Sequence, residues 1–149
     1  MSGRIEKSIE VKATVSRVWR ALTDHKEFGT WFGVKLDGPF VVGKSNGGKL
    51  TSCGYEDMQW KATVVKMEPE RLFSFTWHPF AVDPKRDYSG EAQTLIEFTL
   101  EKTATGTLVR VVESGFDKLP PQRRLEAFPM HEQGWIKQME NIAKHVDAA

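Results

Sequence analysis

Val109 to Phe116 reads VRVVESGF, a run of apolar residues with one carboxylate, Glu113, set among them. A carboxylate that points into a protein interior must be hydrogen-bonded, paired or protonated. Such a group can fasten two elements together, act as an acid or base, or anchor a ligand in an apolar cavity. The groups able to meet it are His131, the indole N–H of Trp135, Tyr55 and Tyr88. With His131 or His78 as its partner, Glu113 would carry acid–base chemistry, and burial would raise its pKa towards neutrality.

Other chemistries lack their residues. His25, His78, His131 and His145 have no zinc-motif spacing, and His131-Glu132 completes no metalloprotease signature. The stretch GKSNGGK lacks the phosphate-loop spacing and reads as a hairpin turn, and there is no Gly-x-Ser-x-Gly elbow. The one cysteine, Cys53, can form neither an internal disulfide nor a metal cluster. It reads as a buried structural thiol in a reducing setting, the cytoplasm. No cofactor and no metal are implied.

The direction of Glu113 follows from strand parity. Val109 and Val111 share its side of the strand, whereas Arg110 lies on the other with Leu108 and Val112. The arginine is the better outward residue, so Glu113 turns inward. Ile96, Phe98 and Leu100 form a second inward set, opposed to Glu97, Thr99 and Glu101. Phe73, Phe75 and Trp77 form a third.

Around these strands the chain punctuates itself clearly. RIEKSIEV reads as a strand, and TVSRVWRALTD as a helix capped by Thr14 or Ser16. HKEFGTWFG is a short second helix or a turn, closed by Gly33. GPFVVG and GGKLTSCG read as two strands joined by KSNGG. QWKATVVKM and RLFSFTWH turn through Glu68-Pro69-Glu70, and AQTLIEFTLEK and TLVRVVESGF turn through TATG. The longer connection HPFAVDPKRDYSGE, with exposed-looking Phe80 and Tyr88, is a candidate lid. A helix starts near Pro121 and breaks or kinks at Pro129, since a proline inside a helix costs roughly 3 kcal/mol. A long amphipathic helix then runs from about Met130, with Trp135, Met139, Ile142 and Val146 on one face. Gly134 within it costs about 1 kcal/mol relative to Ala, which close approach to a sheet or room for a ligand would explain.

Consecutive strands with short connections make an antiparallel sheet, and one long helix covers its face. The 149 residues fit one α+β domain, 1–149. A net charge of +1 with dispersed basic residues argues against nucleic acid. No apolar run reaches the length of a membrane span, and MSGRIEKSIE does not read as a signal peptide.

RVWRALTD followed by WFG, then TLIEFTLE, VVESGFDKLP and EQGW before a last amphipathic helix, resembles the START-like superfamily. Within it the chain is similar to the branch related to the C-terminal domain of the activator of Hsp90 ATPase, over Ile5 to Val146. The resemblance implies a helix-grip fold. In it a curved antiparallel sheet of about six to seven strands wraps a long C-terminal helix over a deep apolar cavity. Its members include lipid carriers, hormone receptors, polyketide cyclases and co-chaperone domains, so it fixes no single function.

The expected function is binding of a small hydrophobic or aromatic molecule (lipid, polyketide or aromatic) between sheet and helix, without catalysis. Trp31, Phe32, Phe73, Phe75, Trp77, Phe98, Val111, Trp135 and Met139 would form the walls, and Glu113 and His131 would supply polar selection. One alternative is a stress-response module whose partner is a chaperone. The other is a cyclase-like or hydrolase-like enzyme using Glu113 and a histidine.

Overall fold

The computed structural model describes residues 3–51, 55–56, 58–83 and 85–148. Cys53 lies outside them. The elements run β1 (Arg4–Val11), α1 (Val15–Thr23), α2 (His25–Phe32), β2 (Val34–Leu36), β3 (Ser45–Leu50), β4 (Gln59–Glu68), β5 (Leu72–Trp77), β6 (Thr94–Lys102), β7 (Thr107–Ser114) and α3 (Pro121–Asp147). The seven strands form one curved antiparallel sheet in the order β1-β7-β6-β5-β4-β3-β2. β1 therefore sits at one edge and β2 at the other, and α1 and α2 carry the chain between them. The arrangement is the α+β helix-grip fold.

Local chemistry sets the boundaries. Thr14 accepts the Arg17 N–H and opens α1. Asp24 closes α1 and then caps α2, accepting from the N–H groups of Lys26 and Glu27. Gly33 ends α2 in the left-handed region with φ 93°, where a side chain would be strained. Inward alternation then fixes the register. Ile96, Phe98 and Leu100 of β6, and Val109, Val111 and Glu113 of β7, are all buried. Ile96 stands opposite Glu113, and Phe98 opposite Val111.

Two segments differ from the sequence expectation. GPFVVG is not a strand, and SNGGKL is one. β2 is instead Val34–Leu36, pairing with β3. The glycines that read as a turn serve a close approach: a Cβ on Gly48 would lie 2.3 Å from the Lys35 carbonyl oxygen. The true connection spans residues 37–44 and drops Phe40 into the core.

Pro129 does not break the last helix, because α3 continues through it for 27 residues. The proline is exposed, and so is Leu125, whose carbonyl loses its helical donor. On that face water can replace the missing N–H.

Polar contacts pin α3 along its length. Asp147 accepts the backbone N–H groups of Lys12 and Ala13 at 3.1 and 3.0 Å. His145 meets Glu27 of α2 at 2.9 Å, and Gln138 donates to the Phe32 carbonyl at 2.9 Å. Near the other end Arg123 is completely buried. It pairs with Glu91 at 2.7 Å, contacts Glu126, donates to the Pro79 carbonyl, and stacks on Tyr88.

Candidate functional site

Glu113 faces inward and has no solvent exposure. Three strands and the last helix converge on its carboxylate. Oε2 accepts the indole N–H of Trp77, at the end of β5, at 2.8 Å. It also accepts the hydroxyl of Thr94, at the start of β6, at 2.5 Å. Oε1 accepts the indole N–H of Trp135 at 2.8 Å and meets Nδ1 of His131 at 2.6 Å. Residues 131 and 135 are one helical turn apart, so α3 presents both donors on the same face. A carboxylate has about four acceptor sites, and here all of them are engaged.

Those contacts decide the charge on Glu113. Burial would push its carboxyl up, but electrostatic attraction to the His131 ring and the hydrogen bonds from His131, Thr94 and Trp77 outweigh it. The net direction is downward, below the ordinary carboxylate range. This corrects the expectation that burial raises Glu113 towards neutrality. A saturated, stabilised carboxylate is a poor general base.

His131 is bonded on both sides. Its Nε2 accepts the Phe80 backbone N–H at 3.0 Å. Only a ring without a proton on Nε2 can accept there, so the hydrogen-bond network assigns the proton to Nδ1, facing Glu113. Phe80 itself is held with φ 48°, in the left-handed region where a bulky side chain is strained. The 78–93 connection is thus tied to α3 twice, through His131 and through Arg123. Phe80 and Tyr88 are half-buried rather than exposed. Tyr88 accepts the Asp83 N–H and stacks on Arg123, and no contact joins it or Tyr55 to Glu113.

Beside this cluster lies a cleft of about 140 Å³. Phe32, Trp77 and Trp135 give it aromatic walls, Met130 and Gly134 open it on the helix side, and His131 and Gln138 border it. A Cβ built on Gly134 would meet nothing within 4 Å. The glycine therefore does not serve close helix–sheet packing; it faces open space.

The remaining aromatic residues expected at a cavity wall are interior packing. Trp31, Phe73, Phe75 and Phe98 are buried and in ring contact, as in Trp31–Phe98 at 6.3 Å and Phe73–Phe75 at 5.6 Å. Val111 and Met139 are buried with them. These rings pack against one another in the interior, and the cleft is lined by Phe32, Trp77 and Trp135 beside them. Of the eleven expected residues, Phe32, Trp77, His131 and Trp135 border the cleft. Glu113 stands behind them, bonded to three of the four. The sequence reading missed Thr94 and Trp77 as partners of Glu113, and Met130 and Gln138 as cleft residues. It also missed Trp60, which packs against Phe32 and Trp77 with centroids 5.9 and 6.0 Å away. Among the described residues no group of three or more His, Cys, Asp or Glu side chains could hold a metal ion. No helix among them is long and apolar enough to cross a membrane.

Comparison with known proteins places the fold. Residues 12–147 match the family model described as activator of Hsp90 ATPase homolog 1-like protein. A solved protein from Mesorhizobium loti is 25% identical with a TM-score of 0.75, over 97% of this chain and 96% of that one. The Aha1 dimer from Colwellia psychrerythraea is 20% identical with a TM-score of 0.72, over 99% and 98%. DynU16, from the dynemicin biosynthetic locus, is 23% identical with a TM-score of 0.75, over 99% of this chain and 48% of that one. No curated protein matches the chain in sequence.

Proposed function

The chain belongs to the activator of Hsp90 ATPase homolog 1-like family, and from that premise we propose that it holds a small, largely apolar aromatic molecule between the end of β5 and the middle of α3. The observation that carries this reading is Gly134. A glycine inside a helix costs about 1 kcal/mol relative to alanine, and here no neighbour requires it. What it provides is space, directly beside the stacked indoles of Trp77 and Trp135. Such a cleft, apolar with few polar groups, is the usual form of a small-molecule site. The role is binding rather than catalysis, because Glu113, the one buried carboxylate among the described residues, is saturated. No cofactor enters it, and the cytoplasm is the setting we assign.

The test is an amide-resolved titration with fatty acids, sterols, flavonoids and aromatic acids, run on the wild type and on Gly134→Leu. Saturable shifts at Phe32, Trp77 and Trp135 that disappear in the variant support the reading. Shifts that survive in Gly134→Leu, or none across the panel, would sink it.

A second reading is a module that contacts a chaperone. Leu125, Met130 and Ile136 leave apolar surface exposed along α3, and the family's description points the same way. It requires the purified chain to stimulate an Hsp90 ATPase, and no stimulation at saturating chain would dismiss it.

A further inference from the structure

Every polar group at the rim of the cleft is already engaged. Trp77 and Trp135 give their indole N–H groups to Glu113. His131 is bonded to Glu113 on one side and to Phe80 on the other. Gln138 donates to the Phe32 carbonyl and accepts from Asn141. Neither indole and neither nitrogen of the His131 ring can hydrogen-bond a guest without giving up a partner inside the fold, whereas the Gln138 amide keeps one N–H and one lone pair at the outer rim.

Trp60 differs. It lies on β4, one ring behind the cleft, in contact with both Phe32 and Trp77. It is 6% exposed, and its buried Nε1–H has no hydrogen-bond partner among the described residues. The other buried tryptophans all have one: Trp31 donates to the Ala21 carbonyl, and Trp77 and Trp135 donate to Glu113. A buried donor left unpaired carries the full desolvation penalty of that group, and such orphans are few in folded proteins.

The geometry points to Trp60 Nε1–H as the specificity-determining donor of the cleft, which bonds a neutral carbonyl oxygen on an aromatic guest that reaches past Phe32 and Trp77. This rests on the cleft being the binding site, and adds the polar chemistry of the guest. The acceptor is neutral because no Lys or Arg lines the cleft and the Glu113 carboxylate stands behind it. A carboxylate guest would be buried beside a like charge without a cation. A carbonyl oxygen accepts from Trp60 without bringing a donor of its own into the apolar part of the cleft.

Two probes of matched shape test this on the full chain: methyl naphthyl ketone, and isopropylnaphthalene, which has no acceptor. With isotope-labelled tryptophan each of the five indoles gives its own N–H signal, and Trp60→Phe assigns the one in question. Both probes are expected to shift the Trp77 and Trp135 signals. Only the ketone moves the Trp60 proton downfield and slows its exchange. In Trp60→Phe the ratio of ketone to hydrocarbon affinity falls about fivefold, the worth of one net hydrogen bond. If both probes shift Trp77 and Trp135 but Trp60 responds to them alike, the donor role is overturned and the cleft stands. If neither probe shifts Trp77 or Trp135, the cleft reading and the donor role fall together. Should Trp60→Phe not fold, the wild-type Trp60 signal decides alone.

Discussion

Trp77 and Trp135 lie stacked, ring centroids 5.8 Å apart and planes 21° from parallel, and donate to opposite oxygens of the same buried carboxylate, Glu113. One indole belongs to the sheet and the other to α3. The carboxylate between them is therefore the joint through which helix and sheet are held.

That joint predicts an acid-sensitive fold. The unfolded chain takes up a proton on Glu113 near pH 4.3, whereas the folded chain holds its carboxyl lower. The stabilisation is complete above the unfolded value and is lost as pH falls through the folded one. Glu113→Gln leaves some donors unmatched and is expected to cost about 3 kcal/mol at neutral pH, while flattening the acid limb. Urea unfolding at several pH values measures both. An unchanged acid limb in the variant would show that other carboxylates set the pH dependence.

His131 is expected in its Nδ1-protonated neutral form, because Nε2 accepts from Phe80. A two-bond nitrogen–proton correlation spectrum reads the tautomer directly. The Nε2-protonated form would refute the Phe80 contact.

Gly134→Ala is expected to raise stability by about 1 kcal/mol, a rise in the unfolding midpoint of about 3 °C for a chain of this size. The reason is the open space beside the glycine. Calorimetry decides it, and a fall in midpoint would mean that the helix has a close neighbour there after all.

Arg123→Met should cost about 3 kcal/mol, because Glu91 keeps a half-buried charge with one partner fewer. Amides of the 78–93 connection should lose protection with it. Arg123→Lys should rescue little, since one ammonium cannot reach Glu91, Glu126 and the Pro79 carbonyl together while stacking on Tyr88. Full rescue by lysine would reduce the role of Arg123 to its charge alone.

The inward turn of Glu113 was legible because parity is a local property and Arg110 marks the outer face. The caps at Thr14 and Gly33 were legible for the same reason. Trp77 and Thr94 were not, since they lie 36 and 19 residues from Glu113 and meet it only through strand register. Gly47 and Gly48 misled because glycine serves turns and close strand approach equally well. Pro129 misled because its cost depends on which carbonyl it orphans, and here that carbonyl belongs to Leu125, on the exposed face of the helix. The aromatic content could not separate a hollow interior from a filled one, because rings that would line a cavity also pack against each other.

The pins along α3 set a limit on what can be admitted. The helix is held near its start by Arg123, in its middle by Trp135 and Gln138, and at its end by His145 and Asp147. It cannot swing off the sheet like a door without breaking all of them at once. The open space in this region lies instead at Met130 and Gly134, which line the cleft on the α3 side. The binding role proposed above thereby becomes a question of shape, in which a guest that enters edge-on leaves the pins intact and one that must lift α3 breaks them.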